Sequence, residues 1–221
     1  MSSSLDDVNV SSVQGVVAPL RKRRPKVLWW RKISRRSAVS LILRDGKQGA
    51  EVLMIKRAER EGDPWSGHMA FPGGVAEKQD GNSLATAIRE TQEEIGIDLP
   101  ECAEVVGRLS DISTPHRRGR KVMTVTVYVF ETKAFPETRI NHEVAEVVWI
   151  PLAFLAAPEN RETMEWKKGG ASESLPCYFY GGRRIWGLSL VMLDELLQQG
   201  KRGLQFSYRG RRISKLWNNG K

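Results

Sequence analysis

The sequence predicts an α/β domain in which helices pack on a central mixed sheet. Three observations carry that reading. Short apolar runs rich in β-branched residues recur at 38–43, 51–55, 105–109, 122–130 and 144–150; one amphipathic helix lies between the first two and the rest; and a second helical pattern follows near residue 190. The 221 residues, 40% hydrophobic and 28% charged, suffice for one sizeable core. No repeat period runs along them, which excludes solenoids and propellers. No apolar stretch reaches the roughly 18 to 20 residues of a membrane span.

Residues 1–33 read as a basic, flexible, solvated arm, with positive charge concentrated in Arg21-Lys22-Arg23-Arg24-Pro25-Lys26. Such a cluster can contact nucleic acid or acidic lipid. Met1 to Val10 include Asp6 and Asp7 and lack an apolar core, unlike a secretory signal or an acid-poor transit peptide, so a cytoplasmic location is the default expectation. Ala38 to Leu43 and Glu51 to Ile55 are expected as a hairpin around the turn-prone Asp45-Gly46-Lys47-Gln48-Gly49. Strands follow at Val105 to Leu109, Val122 to Phe130 and Val144 to Ile150. Leu188 to Gln199 has helical spacing, ends at Gly200, and gives way to a basic tail. The expected division is therefore an arm over 1–33, one folded domain over 34–200 and a basic tail over 201–221. Cys102 and Cys177 are too few for a disulfide scaffold and read as buried thiols.

The central helix, residues 82 to 95, opens at the cap-competent Asn82 or Ser83 and closes at Gly96. At about 100° per residue, Leu84, Ile88, Thr91 and Ile95 form one stripe that should face the sheet. Opposite them, Glu90, Glu93 and Glu94 stand at neighbouring positions, where like charges repel by about 0.2–0.5 kcal/mol per pair. Arg89 flanks Glu93 alone, and the last turn of a helix disfavours carboxylates. A divalent cation would offset both penalties. Three carboxylates without His or Cys suit Mg²⁺ or Mn²⁺ and not zinc.

Upstream, Phe71-Pro72-Gly73-Gly74 follows a short strand. Gly73-Gly74, a loop, and then Arg89-Glu90-Thr91-Gln92-Glu93-Glu94-Ile95-Gly96-Ile97 together resemble a Nudix box. The second half matches position for position, with Thr91 in an apolar slot. The first half departs: Gly74 plus five residues reaches Asp80 where the family has Glu, and one extra residue precedes Arg89. The resemblance implies an α/β/α sandwich with a central mixed sheet, and a Mg²⁺-dependent hydrolase of a diphosphate bond. It further implies that Glu90 and Glu94 ligate the metal with the Gly73 carbonyl, that Glu93 ligates or helps activate water, and that Arg89 orients the glutamates.

Other segments resemble the coenzyme A pyrophosphatase branch: Arg57-Ala58 after a strand, Gly67 before Phe71, Glu143-Val144-Ala145-Glu146-Val147, and Ile185-Trp186-Gly187 before a terminal helix. That branch usually carries a second Arg where this chain has Gly62. The diphosphate and 3′-phosphate of coenzyme A make Arg57, Arg60, Arg117, Arg118 and Arg120 candidate contacts, the last three in a loop with His116. Glu143 or Glu146 is expected to assist the metal or water. Alternatives are ADP-ribose, a dinucleotide or an oxidised nucleotide as substrate, or a nucleic-acid-binding or interaction protein that uses the basic ends.

Overall fold

The computed structural model describes residues 8–62, 65–114, 122–134, 136–168 and 171–197. Helix α1 (Val13–Arg21) begins at Ser12, whose hydroxyl accepts from the Gly15 N–H at 3.2 Å. Strands β1 (Arg35–Gly46) and β2 (Gly49–Arg57) form the expected hairpin, in register at Gly46 and Gly49 across Lys47-Gln48. Two short strands, β3 (Met69–Ala70) and β4 (Gly73–Val75), follow and pair with β2 and β1. Helix α2 (Ser83–Ile95) and the single turn α3 (Leu99–Cys102) lead into β5 (Ala103–Arg108), β6 (Ile112–Thr114), β7 (Met123–Thr132) and β8 (Val144–Pro151).

The sheet order is β3-β2-β1-β7-β5, with β8 on β2 and β6 on β7. The β1–β7 pair is parallel and the other pairs are antiparallel, so the sheet is mixed as expected. Alternation decides which residue faces which layer. Leu41, Leu43, Val52, Met54, Val125, Val127 and Val129 pack with α1, α4 (Leu152–Ala156) and α5 (Gly187–Leu196). Ile42, Leu53, Ile55 and Phe130 pack with Ile95, Leu84 and Ile88 of α2 on the other side. Burial on both faces explains why β1 and β2 read as continuous apolar runs. No helix of the described residues is long and apolar enough to cross a membrane.

Two features depart from these expectations. The arm expected over 1–33 contains α1, whose Val13, Val16, Val17 and Leu20 are buried against the sheet. Its apolar residues fall at helical spacing, and the polar N-terminus and basic end had masked that stripe. A second sheet of β9 (Arg161–Lys168), β10 (Ala171–Tyr180) and β11 (Arg183–Ile185) was not foreseen. β9 and the start of β10 are rich in charged and polar residues, and Pro176 interrupts the apolar run that follows, which weakened the strand signal. Helix α5 runs to Leu196, and the tail at 201–221 lies outside the described residues.

Candidate functional site

The loop before α2 is shaped by its two glycines. Gly73 sits at φ +151°, and a Cβ there would overlap the Ala38 carbonyl and Val39. A Cβ on Gly74 would strike the Glu90 carboxyl group. At Gly73 strand β4 thus lies so close to the β1 backbone that only glycine fits, whereas at Gly74 a side chain would have to displace the Glu90 carboxyl group. The loop is held by Ser40 N–H donating to the Pro72 carbonyl at 2.8 Å and Ser37 Oγ donating to the Gly74 carbonyl at 2.6 Å.

Asn82 caps α2 by accepting the Ala85 N–H at 2.9 Å, and Gly96 ends the helix at φ +71°. The helix is rotated from the orientation that its aliphatic residues suggest. Thr86, Ala87, Thr91, Glu94 and Ile95 are buried, while Leu84 and Ile88 are half-buried. Small and hydroxylated side chains permit the close approach to β1: Thr91 Oγ1 donates to the Ala87 carbonyl at 2.7 Å and lies within hydrogen-bond distance, 2.9 Å, of Ser40 Oγ. Satisfied hydroxyls are what let a polar residue occupy the apolar slot.

That rotation carries Glu94 inward to 3% exposure. Its Oε2 accepts the Gly73 N–H at 2.9 Å. Burial pushes its carboxyl up to about 7, against the Gly73 hydrogen bond, with repulsion from Glu90 adding to the rise and Arg57 countering it. Glu90 is also raised, chiefly by burial, with Arg89 opposing.

Arg89 is the hub of the acidic face. Its Nε and Nη2 bind the two oxygens of Asp80 at 3.0 Å each, Nη2 also reaches Glu90 Oε1 at 3.0 Å and the Val75 carbonyl at 3.2 Å, and Nη1 binds Glu93 Oε2 at 2.9 Å. The expectation that Arg89 serves Glu93 alone is therefore corrected, because adjacent side chains at a helix edge can share one fork-shaped cation. Glu90 and Glu93 turn to Arg89 and Glu94 to Gly73, and among the described residues no group of three or more His, Cys, Asp and Glu is arranged to hold a metal. Like-charged side chains separate onto whatever donors they can reach.

Asp80 emerges as the residue that absorbs the loop insertion. It is buried, grips Arg89 with both oxygens, and accepts from Thr86 Oγ1 and the Glu77 N–H at 2.9 Å each. The Arg89 hydrogen bonds hold its carboxyl well below the usual carboxylate range, against the cost of burial. The same bonds to Asp80 raise Arg89 further above its already high value.

A cleft of about 430 Å³ opens over this face. Arg57, Gly73, Gly74, Arg89, Glu90, Glu93 and Glu94 line it, with Glu77, Asn141, His142 and Glu143 completing the wall. Asn141 N–H donates to the Glu94 carbonyl at 3.0 Å and Arg139 N–H to the Ile95 carbonyl at 2.8 Å, so the chain before β8 docks on the end of α2. This brings Glu143 to the cleft. Glu146 instead pairs with Arg183 of β11, which lowers its carboxyl. Arg60 stands at the edge, 3.4 Å from Glu143 and 3.3 Å from the His142 carbonyl. Arg117 and Arg118 lie outside the described residues, as do His116 and Arg120. Glu77 and Asn141 were missed: Glu77 lies in the inserted loop, and Asn141 comes to the site only through a contact 47 positions from Glu94.

The donor set of the cleft is carboxylate and backbone oxygen, without thiol or imidazole among its carboxylate neighbours except the exposed His142. A buried carboxyl group raised by burial, beside a second raised one, is an environment that a hard divalent cation complements. Fold and cleft together define an α/β protein with an acid-walled, oxygen-rich cavity built on a Gly-Gly strand and one helix. The family profile described as NUDIX domain matches residues 34–167, more than half of the chain, and the chain belongs to the NUDIX family.

The chain is 33% identical over 150 residues to the mitochondrial coenzyme A diphosphatase NUDT8 of Homo sapiens, covering 66% of this chain and 61% of that protein. It is 41% identical over 111 residues to an uncharacterized protein of Schizosaccharomyces pombe, covering 49% of this chain and 34% of that one. It therefore spans between about a third and three-fifths of the length of these curated relatives. A NUDIX hydrolase structure from Alicyclobacillus acidocaldarius aligns with TM-score 0.48 and 17% identity, over 85% of this chain and 98% of that one. The word mitochondrial in the human protein's name differs from the cytoplasmic default read from the N-terminus here.

Proposed function

We propose that this chain is a Mg²⁺-dependent hydrolase that cleaves a diphosphate bond, with coenzyme A or an acyl-coenzyme A as substrate. The observation that carries the reading is one cleft walled by Glu90, Glu93, Glu94 and Glu143 and also lined by the Arg57 guanidinium. Carboxylates suit a hard cation, and a guanidinium suits phosphate oxygens. In this reading Glu90 and Glu94, with the Gly73 backbone, hold Mg²⁺ or Mn²⁺. When bound, the cation supplies charge neutralisation at the diphosphate and lowers the pKa of water.

The chain's own residues do the rest. Arg57 and, once released from Glu143, Arg60 bind phosphate oxygens. Arg117 and Arg118 are further proposed contacts. Glu93, half-exposed, takes the proton of the attacking water, and Glu143 lines the same cleft. The water oxygen bonds to phosphorus, the P–O bond to the bridging oxygen breaks, and that oxygen leaves with its phosphate. Arg89, anchored by Asp80, positions Glu90 and Glu93 without touching substrate. The catalytic unit is proposed to be residues 34–200, braced by α1. Coenzyme A is supported by the name of the human relative and by the segments around Arg57, Glu143 and Ile185 that resemble that branch.

Mass-spectrometric product analysis with Mg²⁺ tests this against coenzyme A, acyl-coenzyme A, ADP-ribose and nucleotides. Release of 3′,5′-ADP and phosphopantetheine by the wild type but not by Glu94→Gln is expected. Cleavage of ADP-ribose or nucleotides in preference would move the substrate assignment. Equal cleavage by the variant would end the mechanistic one.

A further inference from the structure

Between α1 and β1 the chain crosses the surface with an unusual composition. Residues 21–36 hold nine Lys or Arg and no Asp or Glu. Eight of these cations are exposed, while Arg31 turns inward to Ser83 Oγ at 3.0 Å. The backbone here is pinned to the loop after β5. Lys26 N–H donates to Ser110 Oγ at 3.0 Å, Asp111 N–H to the Lys26 carbonyl at 2.8 Å, and Leu28 N–H to Asp111 Oδ2 at 3.0 Å. Leu28 is buried, and one 3₁₀ turn follows over Trp29–Lys32.

Fixing Leu28 inward forces its neighbours outward. Val27 is 53% exposed, Trp29 80% and Ile33 73%. Of the six large hydrophobic side chains exposed among the described residues, three thus fall within seven positions, amid the densest positive charge. The Trp29 ring rests edge-on against half-buried Trp30 at 5.4 Å, which holds it out from the body. Single exposed apolar residues are ordinary, whereas three within seven positions of a cation-rich segment point to a binding surface.

We propose that residues 21–36 form a docking surface for an anionic lipid bilayer. Trp29, Val27 and Ile33 enter the interfacial layer, and the exposed lysines and arginines meet headgroup phosphates and carboxylates. An indole suits that layer because one edge is apolar and the ring N–H stays wet, and long cationic side chains reach outward while their stems lie on apolar surface. A nucleic acid would engage the cations and stack on Trp29, but it offers nothing to the aliphatic Val27 and Ile33. Hydrocarbon does. The surface is independent of the hydrolytic reading.

The test is sedimentation of the full chain with phosphatidylcholine vesicles, alone or with about 30% phosphatidylserine, at roughly 0.1 M salt. The wild type is expected to pellet with the anionic vesicles and remain in solution with the neutral ones. Trp29→Ser with Ile33→Ser, and separately Lys22→Glu with Arg24→Glu, should each lower partitioning by about tenfold or more. All four positions are exposed, so both variants should melt like the wild type. Absence of pelleting, equal pelleting with both vesicles, or wild-type pelleting by the Trp29/Ile33 variant overturns the proposal. So does binding of a labelled single-stranded oligonucleotide without binding of either vesicle.

Discussion

Replacing Glu94 by Gln should make the metal-free protein more stable while removing its activity. The Glu94 carboxyl is 3% exposed and sits at about 7, against an ordinary 4.5. A difference of about 2.5 units, at about 1.4 kcal/mol each, corresponds to about 3 kcal/mol of destabilisation once the group is ionised in the fold. The folded state holds the proton more tightly than the unfolded chain. Stability from this group is therefore fully present below pH 4.5 and is lost as pH rises through about 7. Gln keeps the volume and can still accept the Gly73 N–H. In chelator at pH 8 the variant should melt higher by about 6 to 12 °C for a chain of this size, and the gap should vanish near pH 4. Saturating Mg²⁺ should narrow the gap by stabilising the wild type alone, by about 2.7 kcal/mol at a hundredfold excess over Kd. Differential scanning calorimetry with and without chelator measures each quantity. A variant that melts at or below the wild type in chelator at pH 8 would refute the claim that burial strains this carboxylate.

Two further substitutions probe the supports of the site. Asp80→Asn breaks a buried pair and should cost about 3–5 kcal/mol near neutral pH in urea unfolding, with kcat reduced because Arg89 is no longer fixed. Since Asp80 is held below its ordinary 3.8, its contribution is present above that pH and fades as pH falls further, so the two proteins should converge in acid. Glu143→Gln should lower kcat by about tenfold or more. Glu146→Gln should leave kcat within about twofold and cost less than about 1 kcal/mol, because its partly exposed pair with Arg183 is screened by solvent. Steady-state kinetics of the two variants side by side separates the acids.

The five principal strands, the β1–β2 hairpin and both limits of α2 were legible because each follows from a local signal: alternation, a turn, a cap. The acidic face was legible for the same reason, since residues three and four apart on a helix are neighbours wherever the helix sits. Its orientation was not. Hydrophobicity alone aims Leu84 and Ile88 at the sheet, but the Thr91–Ser40 hydroxyl pair lies on the face that meets β1, and Glu94 is buried with it. Asp80 could have been foreseen: with one residue inserted, its carboxylate still precedes Arg89 at a distance that a short loop can close. Glu143 could not be chosen over Glu146 from sequence, because the choice is made by a hydrogen bond from Asn141 to the end of α2 and by Arg183 on a sheet that local patterning did not reveal.

The docking of residues 139–141 onto α2 has a consequence for how the protein comes into being. Gly73 to Glu94 are synthesised early, but the wall that faces them arrives only after β5, β6 and β7 have passed. Because β1 and β7 run parallel, the intervening chain must cross over before the sheet can close. A nascent chain that has emerged only as far as β7 carries all three helix glutamates but lacks Asn141, His142 and Glu143 of the cleft wall. In the proposed reading, turnover therefore requires the chain through the start of β8, because Asn141, His142 and Glu143 complete the cleft.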